Sequence, residues 1–386
     1  MDKISILCLS FNHQRFIADH IKSVLNQSFK DFELIIVDDC STDDNVAQIS
    51  QFNDPRIKLI RHEFNKGINA TLNTAFENAN GEYLMFLAGD DCLEINALER
   101  IVKELDNSGD IVLYTGLMRI DINGNKIEPF NVEIKDRYKI LNTIFMKQNC
   151  LLSPGMSMRK DIFAKYLYPL DTSMCMHQDT QIHVKLLLNI EPKFLDENLI
   201  LYRFDDNVGN ISGSFISYSR SEFETESLMD TFLNIDDVNL LKKIFAKEID
   251  KTKLEPKIEY LEFFLGNMAL LSSEWYRRIW GYHMIMRSYN TKAKAKALKK
   301  EYNFEFKDYL ELINIVNEDS DAIKFMSKYQ EDINALQELK NEVNKFRNKY
   351  KKYKKLSIAL GGLSVVVLIF LIIGVIFDTI FGFKSN

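Results

Sequence analysis

Short apolar runs bounded by polar turns alternate with segments of helical spacing through the first part of the chain. Ile4–Leu9 reads as a strand, residues 15–27 as a helix, Glu33–Val37 as a strand, 43–52 as a helix, Ile57–Arg61 as a strand and 67–78 as a helix, with a further strand at Tyr83–Leu87. Apolar runs between turn formers mark strands, and apolar positions every three to four residues mark helices. This alternation predicts an α/β fold with a doubly wound, mostly parallel sheet. Two more strands are expected at Ile111–Tyr114 and Leu117–Ile120, the second entering the turn Asn123-Gly124. Ser153-Pro154-Gly155 marks a tight turn, and Gln178–Asn189 has helical spacing.

From Phe215 the pattern changes to long amphipathic helices rich in Glu, Lys, Leu and Phe. The expected organisation is an α/β domain over 1–214, a helical region over 215–330, a basic amphipathic stalk over 331–355, a membrane span over 356–377 and a tail over 378–386. In the stalk Leu336, Leu339, Val343, Phe346, Tyr350 and Tyr353 alternate spacings of three and four, the seam of a short coiled coil. A homodimer through this stalk and a single helix packed on its own domain both satisfy that pattern.

No charge interrupts Leu356–Phe377, a stretch of about 33 Å as a helix and long enough to cross a hydrocarbon core. A single-pass C-terminal anchor in the cell membrane is therefore expected. Lys345, Arg347, Lys349, Lys351, Lys352, Lys354 and Lys355 precede the span, whereas only Asp378 and Lys384 follow it. The positive-inside tendency then places everything before it in the cytoplasm, with the basic run close to anionic headgroups. No signal peptide is expected, because Met1-Asp2-Lys3 leads directly into the first strand pattern.

The 386 residues exceed the usual size of one domain, and 46% hydrophobic content supports a sizeable core. A net charge of -6 gives no basic face of the kind that binds nucleic acid. Cys8, Cys40, Cys92, Cys150 and Cys175 lie far apart with no CxxC spacing, so neither structural zinc nor a disulfide framework is expected.

Two acidic pairs, Asp38-Asp39 and Asp90-Asp91, each close a strand-like run. In an open α/β sheet ligands bind outside the carboxyl ends of the strands, so both pairs are expected beside one phosphate-bearing ligand. Ser41, Thr42 and Asp43 suit turn and capping work, but two consecutive carboxylates exceed it. A carboxylate there can accept from a base N–H or a ribose hydroxyl. Asp90 and Asp91 offer the hard oxygens that Mn²⁺ or Mg²⁺ takes alongside substrate phosphates. No GxGxxG follows the first strand, which disfavours a nicotinamide cofactor.

Several motifs in order, Ser5–Asn12, Ser23–Phe29, Phe32–Asp43, Asn65-Lys66-Gly67 and Asn80 to Asp91, resemble family 2 glycosyltransferases of the GT-A fold. The likeness covers roughly the first 210 residues. It implies a nucleoside-diphosphate sugar as donor, a UDP-sugar being favoured, with Phe11 near the base, Asp39 accepting from it and Ser10 among the donor-binding residues. It also implies that Asp38, Lys66 and Gly67 lie near the ribose and diphosphate. Asp90 and Asp91 fall on the family's DxD element, Asp91 being the acid that usually holds the metal, while Ala88 replaces the first acid of the common form. A general base is implied at Asp179 in His177-Gln178-Asp179, where the frequent Glu-Asp reads Gln-Asp. Standing alone, Asp179 would read as a helix N-cap.

Arg203, in Tyr202-Arg203, either meets the diphosphate or pairs with Asp205 or Asp206. His177 and His183 lack HExxH spacing and read as surface or packing residues. The resemblance implies an inverting transfer to an acceptor hydroxyl. The expected membrane placement suits a lipid-linked glycan of bacterial surface polysaccharide synthesis. A sugar nucleotidyltransferase would show a Gly-rich loop where Ser10–Gln14 stands. The rival from another class is a non-catalytic membrane scaffold that keeps the fold and binds glycan or protein.

Overall fold

The computed structural model describes residues 2–204, 215–317 and 321–359. Among them are nine strands: β1 (Ile4–Ser10), β2 (Phe32–Asp38), β3 (Ile57–Arg61), β4 (Tyr83–Ala88), β5 (Cys92–Leu93), β6 (Ile111–Ile120), β7 (Lys126–Phe130), β8 (Ser157–Arg159) and β9 (Glu191–Arg203). They form one sheet in the order β3-β2-β1-β4-β8-β6-β9-β5, with β7 beside β6. The first four are parallel neighbours, and β9 runs parallel to β6. β8 is antiparallel to both β4 and β6, β5 to β9, and β7 to β6. The sheet is thus mixed, a correction to the expected mostly parallel one. β5 and β8 are two and three residues long, too short to leave an apolar run in the sequence.

Alternate residues of the central strands enter opposite cores, as the two-residue period of a strand requires. On β2, Leu34 and Ile36 join the core beneath the helix Ile17–Leu25, whereas Ile35 and Val37 join the core on the other face. That second core also takes Leu72 and Phe76 of the helix Ile68–Glu77 and Ile182 and Leu186 of the helix Gln178–Leu187. The strand expected as two pieces, Ile111–Tyr114 and Leu117–Ile120, is the single β6. Its register against β9 shifts at Gly116, where an added Cβ would meet the Asn131 and Asn198 side-chain oxygens at 2.4 and 2.6 Å. The glycine accommodates a bulge and does not end the strand.

The chain divides into two compact units at Val316. In the first, the helices from Phe215 to Tyr289 share the core of the sheet, and Leu298, Phe304, Leu312 and Val316 join a smaller separate cluster. Phe145 packs edge-on against Phe232, Phe245 and Trp280 at centroid distances of 5.0, 4.8 and 6.0 Å. Trp280 Nε1–H donates to Asp230 Oδ1 at 2.8 Å, satisfying the one polar atom of a buried indole. The helices Leu261–Ala269 and Trp275–Tyr289 approach closely where Gly266 faces Gly281.

The second unit contains the helix Asp321–Ala359, on which Leu336, Leu339, Val343, Phe346 and Tyr350 are exposed. Beyond Ala359 the span expected over 356–377 lies outside the described residues. Among the described residues no helix is long and apolar enough to cross a membrane. The helix from Asp321 carries charged residues as far as Lys355. The expected single-pass anchor, and the cytoplasmic placement drawn from it, are corrected accordingly and not carried forward.

At the glycine contact, a Cβ on Gly281 would lie 2.6 Å from the Gly266 carbonyl oxygen. Gly281→Val is expected to cost about 1–3 kcal/mol through overpacking. Its thermal melting temperature falls, while Gly109→Ala, where nothing lies within 4 Å, melts as the parent does.

Candidate active site

The strand order places a topological switch between β1 and β4, and the expected ligand crevice lies at their carboxyl ends. The ends are laced together there: Asp39 N–H donates to the Ser10 carbonyl and Gly89 N–H to the Leu9 carbonyl, both at 2.9 Å. Ser10, Phe11, Asp39 and Asp90 thereby meet on one edge of the sheet. Phe11 is 38% exposed, an aromatic face open to solvent at the crevice. Asn12 takes a left-handed φ of 57°, and its side-chain oxygen accepts the Thr42 N–H at 2.8 Å.

The two acids ending β2 divide their duties. Asp38 is fully buried and accepts from Ser41 N–H at 3.0 Å and from Asn45 Nδ2 at 2.7 Å. Asn45 also donates to Ser10 Oγ at 2.9 Å, so Asp38 and Ser10 are tied together through Asn45. Asp39 accepts from His62 Nδ1 at 2.7 Å and Lys66 N–H at 2.8 Å on Oδ1, and from Gly67 N–H at 2.8 Å on Oδ2. A carboxylate oxygen has two acceptor positions, which leaves one on Oδ2 for a ligand. Gly67 has φ 86° and ψ 166°, a conformation that glycine alone adopts readily, and this turns its N–H toward Asp39.

The acidic turn after β4 is held by Arg203, the last residue of β9. Its backbone N–H donates to Asp91 Oδ1 at 3.0 Å, Nε to the Asp90 carbonyl at 3.0 Å and Nη1 to the Asp121 carbonyl at 2.8 Å. The guanidinium lies 4.6 Å from the Phe16 ring centroid. Arg203 is buried, and its Nε and Nη1 bonds to backbone carbonyls brace the turn; Asp205 and Asp206 lie outside the described residues. His20 supports the turn from below, its Nδ1–H donating to the Asp91 carbonyl at 2.8 Å. Burial keeps that imidazole neutral, moving its pKa down to about 4. Burial and, next, the adjacent Asp90 push the Asp91 carboxyl well above the usual range, while the Arg203 N–H and charge oppose this.

Two hard carboxylates side by side, one of them buried against its neighbour's charge, fit a divalent cation, which would reverse the penalty on Asp91. Among the described residues no group of three or more His, Cys, Asp or Glu could hold a metal ion. Asp90 and Asp91 would therefore hold such an ion together with donor phosphates and water, where it would offset charge on the diphosphate.

Asp179 is the second residue of the helix Gln178–Leu187 and is half-buried. Its Oδ1 accepts the Thr180 N–H at 3.0 Å, and Ser153 Oγ lies 3.4 Å from Oδ2. Burial raises its pKa against the pull of these donors. The turn ahead of the helix is fixed from the helix Phe215–Asp230, where Glu224 accepts N–H groups from Cys175, Met176 and His177. His177 Nε2 reaches the Ser221 carbonyl at 3.0 Å, so this histidine anchors the turn.

Tyr202, on β9, lies within electrostatic reach of both acidic centres. Burial first, then the charges of Asp91, Asp90 and Asp179, push its phenol up to about 12. Ser153 and Glu224 are residues of this neighbourhood that motif reading passes over, and His183 is one it takes for a surface or packing residue. His183 had a signal, standing four residues after Asp179 on the same helix face. Glu224 had none, because only the folded chain brings it to Cys175.

The family model for glycosyl transferase family 2 matches residues 5–167. An uncharacterised glycosyltransferase of Methanocaldococcus jannaschii is 31% identical over 221 residues, covering 55% of this chain and 75% of its own length. A UDP-Glc:alpha-D-GlcNAc-diphosphoundecaprenol beta-1,3-glucosyltransferase of Escherichia coli is 36% identical over 124 residues, 32% of this chain and 48% of that protein. The chain thus spans less than half of the E. coli relative. Among solved structures, S. aureus TarS 1-349 in complex with UDP-GlcNAc superposes with a TM-score of 0.51 at 18% identity, covering 80% of this chain and 90% of that one. That likeness establishes a shared GT-A-like fold. With a family 2 model over the α/β part and a relative matched over three quarters of its length, the chain belongs to glycosyltransferase family 2 and is a glycosyltransferase.

Proposed function

We propose that the enzyme transfers a sugar from a UDP-sugar to a hydroxyl of a lipid-linked glycan precursor, with inversion at the anomeric carbon. The observation that carries this reading is the placement of Asp179, a half-buried carboxyl whose pKa burial raises, on a turn clamped by Glu224. A base of raised pKa is better matched to deprotonating an alcohol near neutral pH. The E. coli relative acts on a diphosphoundecaprenol-linked sugar, and the TarS structure holds UDP-GlcNAc; both favour this donor and acceptor class.

In the proposed reaction the acceptor oxygen forms the new bond to the anomeric carbon while its proton passes to Asp179. The bond from that carbon to the diphosphate oxygen breaks on the opposite face, and its electron pair leaves with UDP. Phe11 stacks on the base and Asp39 Oδ2 accepts from it, while the Lys66-Gly67 turn lies along the donor. Asp90 and Asp91 would hold Mn²⁺ or Mg²⁺, which would supply positive charge to offset that of the departing diphosphate.

Three measurements test this reading. UDP with Mn²⁺ raises the melting temperature of the full chain, and Asp91→Asn abolishes the metal-dependent part; an unchanged shift in the variant removes Asp91 from the site. With UDP-glucose or UDP-GlcNAc and GlcNAc-diphosphoundecaprenol as acceptor, Asp179→Asn lowers kcat about 10²–10⁴-fold while UDP affinity holds. Retention of kcat would exclude Asp179 as base. Because burial raises the Asp179 pKa and the base must be ionised, kcat/KM falls on acidification through a pKa above the ordinary aspartate value of about 3.9. An acid limb at or below that value contradicts the assignment.

A further inference from the structure

Asp179 is the end of a longer row of polar groups. Ser153 Oγ lies 3.4 Å from Asp179 Oδ2 and 3.1 Å from His183 Nε2, and His183 Nδ1 lies 2.9 Å from the Tyr114 hydroxyl. The members come from three places: the helix Gln178–Leu187, the turn before β8, and β6. His183 and Tyr114 are buried, and Tyr114 stacks against Phe194 at 5.3 Å between centroids. The turn carrying Ser153 is tied to β4 by Gly155 N–H, which donates to the Phe86 carbonyl at 2.7 Å.

The chemistry of the members sets the direction of every bond. Burial keeps His183 neutral, with a pKa down at about 3, so one ring nitrogen donates and the other accepts. Burial likewise keeps the Tyr114 phenol protonated. Its O–H donates to His183 Nδ1; the opposite sense would bury that proton without the acceptor it has here. His183 must then carry its proton on Nε2 and donate to Ser153 Oγ, which leaves the Ser153 O–H for Asp179. The Ser153–Asp179 separation is the longest link, and catalytic hydrogen bonds of this kind commonly tighten when substrate binds.

We propose that Tyr114, His183 and Ser153 form a hydrogen-bond chain of fixed direction that orients Asp179 and favours its carboxylate form, making Ser153 and His183 positioning residues for the base. The proposal rests on the reading of Asp179 as the base. The chain ends on a buried phenol, so it orients the carboxylate and does not conduct a proton away. Among the described residues the titratable groups about Asp179 include His183 on its own helix and Tyr202 on β9, with Glu224 of the helix Phe215–Asp230 bound just ahead of it. None is a cation at neutral pH, so hydrogen-bond donation offsets the burial of the charge. Deleting the Ser153 donor disfavours the carboxylate and raises the pH at which the base forms.

The test uses the full chain with Mg²⁺ and UDP-glucose or UDP-GlcNAc, following UDP release across pH for wild type, Asp179→Asn, Ser153→Ala and Ser153→Thr. Ser153→Ala moves the acid limb of kcat/KM upward by on the order of half to one pH unit, the equivalent of one hydrogen bond. Ser153→Thr restores it. If Asp179→Asn is inactive and Ser153→Ala keeps the wild-type limb, the chain is overturned and the base reading stands. If Asp179→Asn turns over as wild type does, both fall together. An independent readout is side-chain ¹⁵N NMR of the histidines, with His183 identified by its loss in His183→Asn. The Nε2–H tautomer, unchanged as pH falls to about 5, supports the chain; an Nδ1–H tautomer, or titration near the ordinary histidine value of about 6.5, overturns it.

Discussion

Two adjacent carboxylates at a strand end, one of them buried, are held in place by Arg203. Its N–H, Nε and Nη1 fix Asp91 Oδ1, the Asp90 carbonyl and the Asp121 carbonyl, and its plane rests on Phe16. Burying charges costs several kcal/mol per ion unless hydrogen bonds and opposite charge offset it. Arg203 can do this only because the thirteen-residue β9 runs beside β6 and returns to pair with β5, whose Cys92 follows Asp91 directly. The long strand is therefore as much a part of the candidate donor site as the acids themselves.

Much of the parallel half was legible from the sequence, since β1, β2, β3 and β4 are apolar runs with turn formers between them. β1, β2 and β4 bury both faces, and burial writes itself into composition, while β3 at the sheet edge exposes Lys58 and Arg61. The far half was harder. β8 is three residues long, and β9 carries Glu191, Lys193, Asp196 and Glu197 among its apolar positions, so neither has a clean period. The acidic pairs could be placed at strand ends from the order of residues alone, because a carboxylate doublet closing an apolar run is a local pattern. What each carboxylate does was not legible. Asp38 turned inward to Asn45 and Asp39 outward to the Lys66-Gly67 turn, a difference decided by the fold around each acid.

Arg203 shows the same limit. Its charge suggested a diphosphate contact or an exposed ion pair, and the fold adds what the sequence could not show, backbone carbonyls as partners of its Nε and Nη1. The clamp of Glu224 on the turn before Asp179 explains why the helices after Phe215 belong with the sheet: they set the position of the proposed base. Fixing both acidic centres from outside the apolar strands separates stability from chemistry. The strands bury the core, while β9 and the helix Phe215–Asp230 aim the reacting groups.

The most direct test of a donor site at the β1–β4 crevice is crystallographic: anomalous diffraction at the manganese edge from crystals of the full chain grown with UDP and Mn²⁺. A manganese peak within coordination distance of the Asp91 carboxylate, with the uracil ring against Phe11, is the expected result. A peak remote from Asp90 and Asp91, or UDP bound elsewhere on the molecule, would contradict the site.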